Sequence, residues 1–381
     1  MNRTALINGQ VLTADGFDSA CAVLIEAGRV AALVPTAELP SDILRHDLEG
    51  AYLLPGFIDA QVNGGGGVLF NNTPTVDALR TIAQAHRRFG TTGMLPTLIS
   101  DDVDVMRNAV AAVHDAIDQS VPGVLGIHLE GPYLAPARKG THNPDKFRVP
   151  DDSEIALATS LSNGVTLLTL APERVPVESI RALIQRGAIV AAGHTAGTYE
   201  EIRAGLAAGV RGFTHLYNAM SPLQGREPGA VGAALEDPDS WCGIIADGVH
   251  VHPASLRVAL AAKPRGKLFL VTDAMPPVGA EDPSYELYGE VITVQDGVVR
   301  NAAGALAGSA LDMLTAVRNT VNLLGLPLDE AARMAATYPA DFLGLGATHG
   351  RIAPSYHADL VALDADLQLK ATWISGSYQA H

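Results

Sequence analysis

Between residues 52 and 275 the chain alternates two textures. Short apolar runs (LLPGFIDA, TTGMLPTL, VLGIHLEG, GVTLLTLAP, AIVAAGH, GVRGFTHL, CGIIADGVH and KLFLVTDAM) are separated by longer segments in which apolar residues recur every three or four positions. Examples of the latter are VDALRTIAQAHRRFG, VDVMRNAVAAVHDAI, VESIRALIQRG and YEEIRAGLAAG. Runs apolar on both faces suit parallel strands covered on both sides, and the intervening amphipathic segments suit the helices that cover them. Eight such runs predict an α/β fold of the (β/α)8 TIM-barrel type over residues 52–346, near the ~250 residues typical of such a barrel. An open doubly wound sheet has the same periodicity. Against it, no GxGxxG opens a helix after the first strand, although Gly64 to Gly67 follow that strand.

The two ends read differently. TALINGQVLT, ACAVLIEAGRVAALVP and HDLEGAYLLP at the start, and GRIAPSYHADLVALDADLQLKATWISGSYQAH at the finish, carry short strand-like alternation between Gly and Asp turns and no useful helical period. Residues 1–51 and 347–381 are therefore expected to pair into one small β-sandwich-like domain, chain ends commonly lying close together.

Composition narrows the function classes. With 48% hydrophobic and 18% charged residues over 381 positions the chain is globular rather than disordered. Lys and Arg number 26 against 41 Asp and Glu, a net charge of −15, which opposes binding to nucleic acid or to an anionic membrane. No apolar run approaches the ~20 residues of a membrane span, and the start MNRTALINGQVLTADGF lacks the apolar core of a signal peptide. The expectation is a soluble cytoplasmic protein. Cys21 and Cys242 are the only cysteines, not in a metal-binding spacing, and Cys242 in the apolar WCGIIADG reads as a buried, inert thiol.

The chemistry lies where the apolar runs stop. Glu130, His194, His215, His250 and Asp273 each sit at the carboxyl end of a run, and in a barrel those ends converge on the face that carries the active site. One such residue is weak evidence, since an isolated histidine is most often a hydrogen-bonded core group. Three coincidences on three runs are stronger, because a carboxylate placed directly after VLGIHL is costly without a partner. Glu130, His194 and His215 suit one divalent cation, Zn2+ first, with Fe2+ and Co2+ accepted by the same donors. Such an ion acidifies water and polarises a carbonyl, and Asp273 is placed to take a proton from that water and return it to a leaving group.

His128 shares Glu130's face of its strand and reads as a core or supporting group. His46, His86, His114 and His357 are expected to be solvated. The stretch ARKGTHNPDKF places Lys139, Thr141, His142 and Asn143 in a loop beyond Glu130, and HLYNAMSPLQGREPG supplies Asn218 and Arg226. In so acidic a chain, Arg226 and His250 are candidates for holding a phosphate or carboxylate.

Taken together, HLEGPYLAPARKGTHNP, GHTAGTYEEIRAGLAAGVRGFTHLYNAMSPLQGREPG, IIADGVHVHP and LVTDAMPPVG resemble the N-acetylglucosamine-6-phosphate deacetylases of the amidohydrolase superfamily. LINGQVL and GRIAPSYHADLVALD match that superfamily's flanking β-domain. The resemblance implies hydrolysis of the acetamide of N-acetyl-D-glucosamine 6-phosphate to D-glucosamine 6-phosphate and acetate. It implies Glu130, His194 and His215 as metal ligands and Asp273 as general base and acid. Thr141 and His142 would contact the sugar and acetamide, His142 stabilising the oxyanion. Asn218, Ala219, Arg226 and His250 would hold the sugar phosphate, and the turn Leu306, Ala307, Gly308 would close over the substrate. It also implies a homodimer or higher assembly in which a neighbour's loop reaches the phosphate.

One departure from the superfamily stands out. The HxH pair that binds a second metal in many members is replaced by Gln61 and Asn63 in GFIDAQVNGG, and the fourth run ends TLAPE with no bridging lysine. Neutral amides are poor ligands for a borderline cation, so one metal per chain is expected. Two alternatives stay open at this point: deacetylation of N-acetylgalactosamine 6-phosphate, and a non-catalytic barrel that senses sugar phosphate.

Overall fold

In the computed structural model, which describes residues 3–282, 284–295, 297–301 and 304–381, the eight apolar runs form one parallel sheet. Its strands are β1 (Phe57–Val62), β2 (Thr91–Ile99), β3 (Gly126–Glu130), β4 (Val165–Leu170), β5 (Ile189–Ala192), β6 (Gly212–Phe213), β7 (Trp241–Ile244) and β8 (Leu268–Leu270), hydrogen-bonded in chain order. The sheet closes on itself: the Asp273 N–H donates to the Gln61 carbonyl (3.0 Å) and Val62 pairs in parallel with Ala274. Closure excludes the open doubly wound alternative and brings every strand's carboxyl end to one mouth.

The amphipathic segments are the covering helices. Val76–Arg87 starts where the Thr75 side chain accepts from the Ala78 N–H, and buries Leu79 and Ile82. Tyr199–Ala208 starts on a capping box between Thr198 and Glu201. His86, expected to be solvated, is fully buried on the first of these helices and donates to the Gly64 carbonyl (2.9 Å). A side chain at Gly65 would collide with this ring, so the absence of one admits the imidazole, which burial keeps below its ordinary pKa.

Both chain ends build one strand-rich layer. Tyr52–Pro55 lies between Gln10–Thr13 and Leu360–Leu363, which joins N- and C-terminal strands in a six-stranded sheet. A four-stranded sheet containing Thr4–Ile7 faces it, and Leu6, Val23, Leu53, Leu360 and Trp373 share the core between them. Each such fully buried side chain contributes ~1.5–3 kcal/mol. Residues 1 and 2 of the span assigned to this layer lie outside the described residues.

A third unit was not anticipated. After β8 the chain forms a three-stranded antiparallel insertion, Ser284–Leu287, Glu290–Gln295 and Val298–Arg300, whose first hairpin turns at Tyr288 (φ 50°) and Gly289 (φ 82°). Its inner face, Tyr285, Leu287, Ile292 and Val299, packs on Leu69, Ile99, Met275 and Ala307, so it roofs part of the barrel mouth. Both cysteines are buried, and burial pushes the Cys242 thiol up to about 12. Among the described residues no helix is long and apolar enough to cross a membrane.

Candidate active site

At the mouth lies a cavity of ≈ 500 Å³ lined by Glu130, His194, His215 and Asp273 together with loop residues, a size suited to a small organic ligand. Three of these four side chains stand on left-handed backbone two or three residues beyond their strands: His194 (φ 46°), His215 (φ 33°) and Asp273 (φ 54°). For residues other than glycine this conformation costs ~1–2 kcal/mol. Its recurrence around one cavity marks a site at which side-chain direction outweighs local stability.

Glu130 Oε1, His194 Nε2 and His215 Nε2 form a triangle with sides of 3.1, 3.0 and 3.1 Å. All three residues are buried. His194 Nδ1 lies 2.8 Å from the Arg138 carbonyl, which only accepts, so that nitrogen carries the proton and the neutral ring turns the Nε2 lone pair to the triangle's centre. Three lone-pair donors this close repel one another unless a proton or cation lies among them. Donors ~2.0–2.1 Å from a tetrahedral ion stand ~3.3 Å apart, so the triangle fits a divalent cation. Burial disfavours the Glu130 charge, but the neighbouring His194 and His215 outweigh it and hold the carboxyl well below its ordinary value. His215 is lifted by Glu130 against the burial that lowers it.

Gln61 does not join this donor set. Its Nε2–H₂ donates to Glu130 Oε1 (3.2 Å) and to Asp273 Oδ1 (3.1 Å), and Asn63 Nδ2 donates to the same Asp273 oxygen (2.7 Å). The two amides thus aim hydrogens at the carboxylates, which locks Asp273 beside the triangle. Burial, followed by the Glu130 charge, pushes Asp273 up to about 6, near the range useful to a general base.

His142 is buried with its Nδ1 facing the Ser100 N–H (3.3 Å) and Oγ (2.8 Å). Because an N–H only donates, Nδ1 accepts and the ring proton sits on Nε2, which lies 3.8 Å from Glu130 Oε2. Burial, then neighbouring His194, holds this imidazole well below its ordinary pKa. It is a neutral donor aimed at the cavity, the form that polarises a carbonyl without competing for protons.

Residues 52–378 match the amidohydrolase family, and residues 4–53 match the NagA composite domain. The chain belongs to the amidohydrolase family. It is 45% identical to an N-acetylgalactosamine-6-phosphate deacetylase of Shewanella sp. (strain ANA-3), covering 97% of this chain and 95% of that one. It is 34% identical to an N-acetylglucosamine-6-phosphate deacetylase of Haemophilus influenzae, covering 98% and 99%. The crystal structure of N-acetylglucosamine-6-phosphate deacetylase from Pasteurella multocida superposes over the whole of both chains with TM-score 0.96 at 34% identity. The resemblance read from the motifs and the barrel expected from periodicity agree with these findings.

The remaining expected site residues of this amidohydrolase fall into two groups. Thr141, Asn218, Ala219, His250, Leu306 and Gly308 line the cavity. Ala307 lies buried between the last two, its carbonyl accepting from the Tyr285 hydroxyl (3.0 Å). A side chain on Gly308 (φ 70°) would strike Met275 and the Asp273 carbonyl, so only glycine lets that turn cross so close. Arg226 is not brought to this cavity. It is exposed on the loop that follows Asn218 and Ala219, three residues from an exposed Leu223.

Several residues of this amidohydrolase escaped the sequence reading. Asp247 Oδ2 lies 2.5 Å from His250 Nδ1, while its Oδ1 accepts the Val249 and His250 N–H groups, so it fixes which edge of that ring meets the cavity. Glu173 accepts from Thr195 Oγ1 (2.6 Å) and the Ala196 N–H (2.8 Å), tethering the turn after His194. Asp247 lies in a loop and Glu173 in a one-turn 3-10 helix, Pro172–Arg174, and only the fold reveals their partners. A second cluster, His349, His357 and Asp359, differs in kind. Its two imidazoles stack at 4.4 Å with planes 14° apart, so their in-plane lone pairs run parallel instead of converging, and Arg29 Nη2 sits 3.2 Å from His357 Nε2.

Proposed function

We propose that this chain is a metal-dependent deacetylase of N-acetylhexosamine 6-phosphates that hydrolyses N-acetyl-D-glucosamine 6-phosphate to D-glucosamine 6-phosphate and acetate, in amino-sugar catabolism. The observation that carries this reading is the Glu130, His194, His215 triangle with Asp273 tied to it through one Gln61 amide nitrogen. One divalent ion per chain, Zn2+ in the first instance, is held by that triangle. When bound it supplies Lewis acidity toward a water and the acetamide carbonyl.

The protein groups do the rest. Asp273 accepts a proton from the attacking water as the new carbon–oxygen bond forms. His142 Nε2–H donates to the carbonyl oxygen as charge develops there. The carbon–nitrogen bond then breaks, and Asp273 returns the proton to the amine, without which an amide leaving group departs slowly. Thr141 contacts the sugar and acetamide. Asn218, Ala219 and His250 hold the phosphate, and the Leu306–Gly308 turn covers the substrate.

The chain acts as a homodimer or a higher homo-oligomer. Exposed Arg226 with its neighbour Leu223, outside the cavity of its own chain, serves the phosphate of an adjoining copy. A phosphorylated sugar does not cross membranes unaided, and both cysteines are unpaired thiols, which supports a cytoplasmic setting.

Acetate release from a panel of N-acetylated sugars, each with and without a 6-phosphate, tests the whole reading. Much faster release from phosphorylated N-acetylhexosamines than from their unphosphorylated counterparts is expected, and none from any of them would end the proposal. The galacto epimer is the second reading, favoured by the higher identity to the Shewanella relative. A larger kcat/KM for N-acetylgalactosamine 6-phosphate would establish it.

Phosphate recognition has its own test. Loss of one charge-assisted hydrogen bond costs about 1.5–3 kcal/mol, so His250→Ala is expected to raise KM for the phosphorylated sugar roughly ten- to a hundredfold while sparing the unphosphorylated one. Arg226→Ala is expected to act in the same direction. Mixing Arg226→Ala with Asp273→Asn chains should regenerate activity, because a mixed dimer holds one site with both groups intact. If both substrates suffer equally from either alanine variant, the residue does not hold phosphate.

A further inference from the structure

We propose that Tyr288, at the tip of the β-insertion, is a positioning residue that fixes the placement and tautomer of His142. The role of His142 as donor to the acetamide oxygen rests on the deacetylase reading; the positioning itself rests on geometry.

The chain of contacts is short. The Tyr288 hydroxyl donates to the Ser100 carbonyl at 2.6 Å, and the same Ser100 offers its N–H and Oγ to His142 Nδ1. The segment just before Ser100 is held from the other side: Asn71 Oδ1 accepts the Ile99 N–H (3.0 Å) and Asn71 Nδ2 donates to the Ile99 carbonyl (3.0 Å). Ser100 therefore lies between a clamp within the barrel and a clamp from the insertion.

The hairpin aims Tyr288 at this point. Its two turn residues both have positive φ, the conformation that lets a two-residue turn follow the twist of its strands. Leu287 beside it packs in one cluster with Ile99 and Met275, which neighbour Ser100 and Ala274 in the chain. The hydroxyl is the one polar atom the Tyr288 side chain contributes, so Phe at this position keeps the packing and removes only the hydroxyl's contacts with the Ser100 carbonyl and the Asn143 backbone.

Without that bond the Ser100 carbonyl loses its partner and the Ser100 peptide gains freedom to turn. Nδ1 then loses a fixed donor, and Ser100 Oγ is free to accept instead. The ring proton moves to Nδ1, and His142 presents a lone pair where the reaction requires a hydrogen. The insertion would thus support catalysis through a residue that need not touch the substrate.

The test uses full-length enzyme loaded with Zn2+. Tyr288→Phe is expected to lower kcat by about ten- to a hundredfold, the scale of a misplaced catalytic group, with KM for the sugar phosphate unchanged because the phosphate-side residues are untouched. Nitrogen NMR of ¹⁵N-histidine-labelled protein, with His142→Gln to assign the signal, reads the tautomer directly. Wild-type His142 is expected as the Nε2–H form and Tyr288→Phe as a mixture or the Nδ1–H form, with the melting temperature confirming a folded variant. An Nδ1–H tautomer in the wild type overturns the proposal without any mutant. So does a Tyr288→Phe enzyme that keeps its kcat, or one that loses kcat with an unchanged His142 spectrum. If the wild type released no acetate, the deacetylase reading would fall, yet the NMR comparison would still decide whether Tyr288 positions His142.

Discussion

Asp273→Asn is expected to lower kcat by about 10²–10⁴, the contribution typical of general acid–base catalysis, while the fold, the metal and substrate binding survive. Asparagine keeps the shape at the junction of β1 and β8 but cannot cycle a proton. The wild-type pH profile supplies the sign. Burial and the Glu130 charge push the Asp273 carboxyl up to about 6. Protonation removes the base, so activity falls as pH drops through that value. A cation in the triangle favours the ionised form, which places this acid limb at or below about pH 6. The paired measurement is turnover and metal content of the variant across pH. Near-normal kcat would remove Asp273 from the mechanism. A variant that loses its metal would instead make Asp273 a ligand.

The barrel was legible because its signal is collective. Strands such as β4, VTLLTL, are mostly apolar and buried along nearly their whole length, and eight repetitions with helical intervals leave few other architectures. The Glu130, His194 and His215 positions were legible for a related reason: a polar group at the end of an apolar run is anomalous locally, and the fold makes the anomalies converge. His86 failed the same style of reasoning. Its burial depends on the Gly64 carbonyl, 22 residues away, and on a gap left by Gly65, neither of which helix periodicity encodes. The insertion went unread although YELYGEVITVQDGVV alternates with YG and DG between its halves; the hairpin signal was present, but its packing against Ile99 and Met275 was not. Gln61 and Asn63 were read by what they lack as ligands. Their amide hydrogens, directed at Glu130 and Asp273, required the closed sheet to become visible.

Those same hydrogens argue for a single metal ion per chain. A second ion near β1 would need donor lone pairs where Gln61 and Asn63 present N–H groups, two of them to one Asp273 oxygen. Elemental analysis at saturating Zn2+ is therefore expected to give close to one tightly bound ion per chain. Glu130→Gln removes the charged corner of the triangle and leaves an amide between two imidazoles. Since disturbing even the supports of a metal ligand costs 10–100-fold in affinity, loss of the ligand itself is expected to weaken binding by at least ~10² in a chelator competition and to abolish turnover. Acid should act in the same direction. His215, lifted by Glu130 in the metal-free triangle, must release its proton before it can bind an ion, so affinity falls as pH falls. Two tightly held ions per chain, one of them released by Gln61→Ala, would contradict the single-ion reading. Wild-type affinity in Glu130→Gln would place the ion outside the triangle.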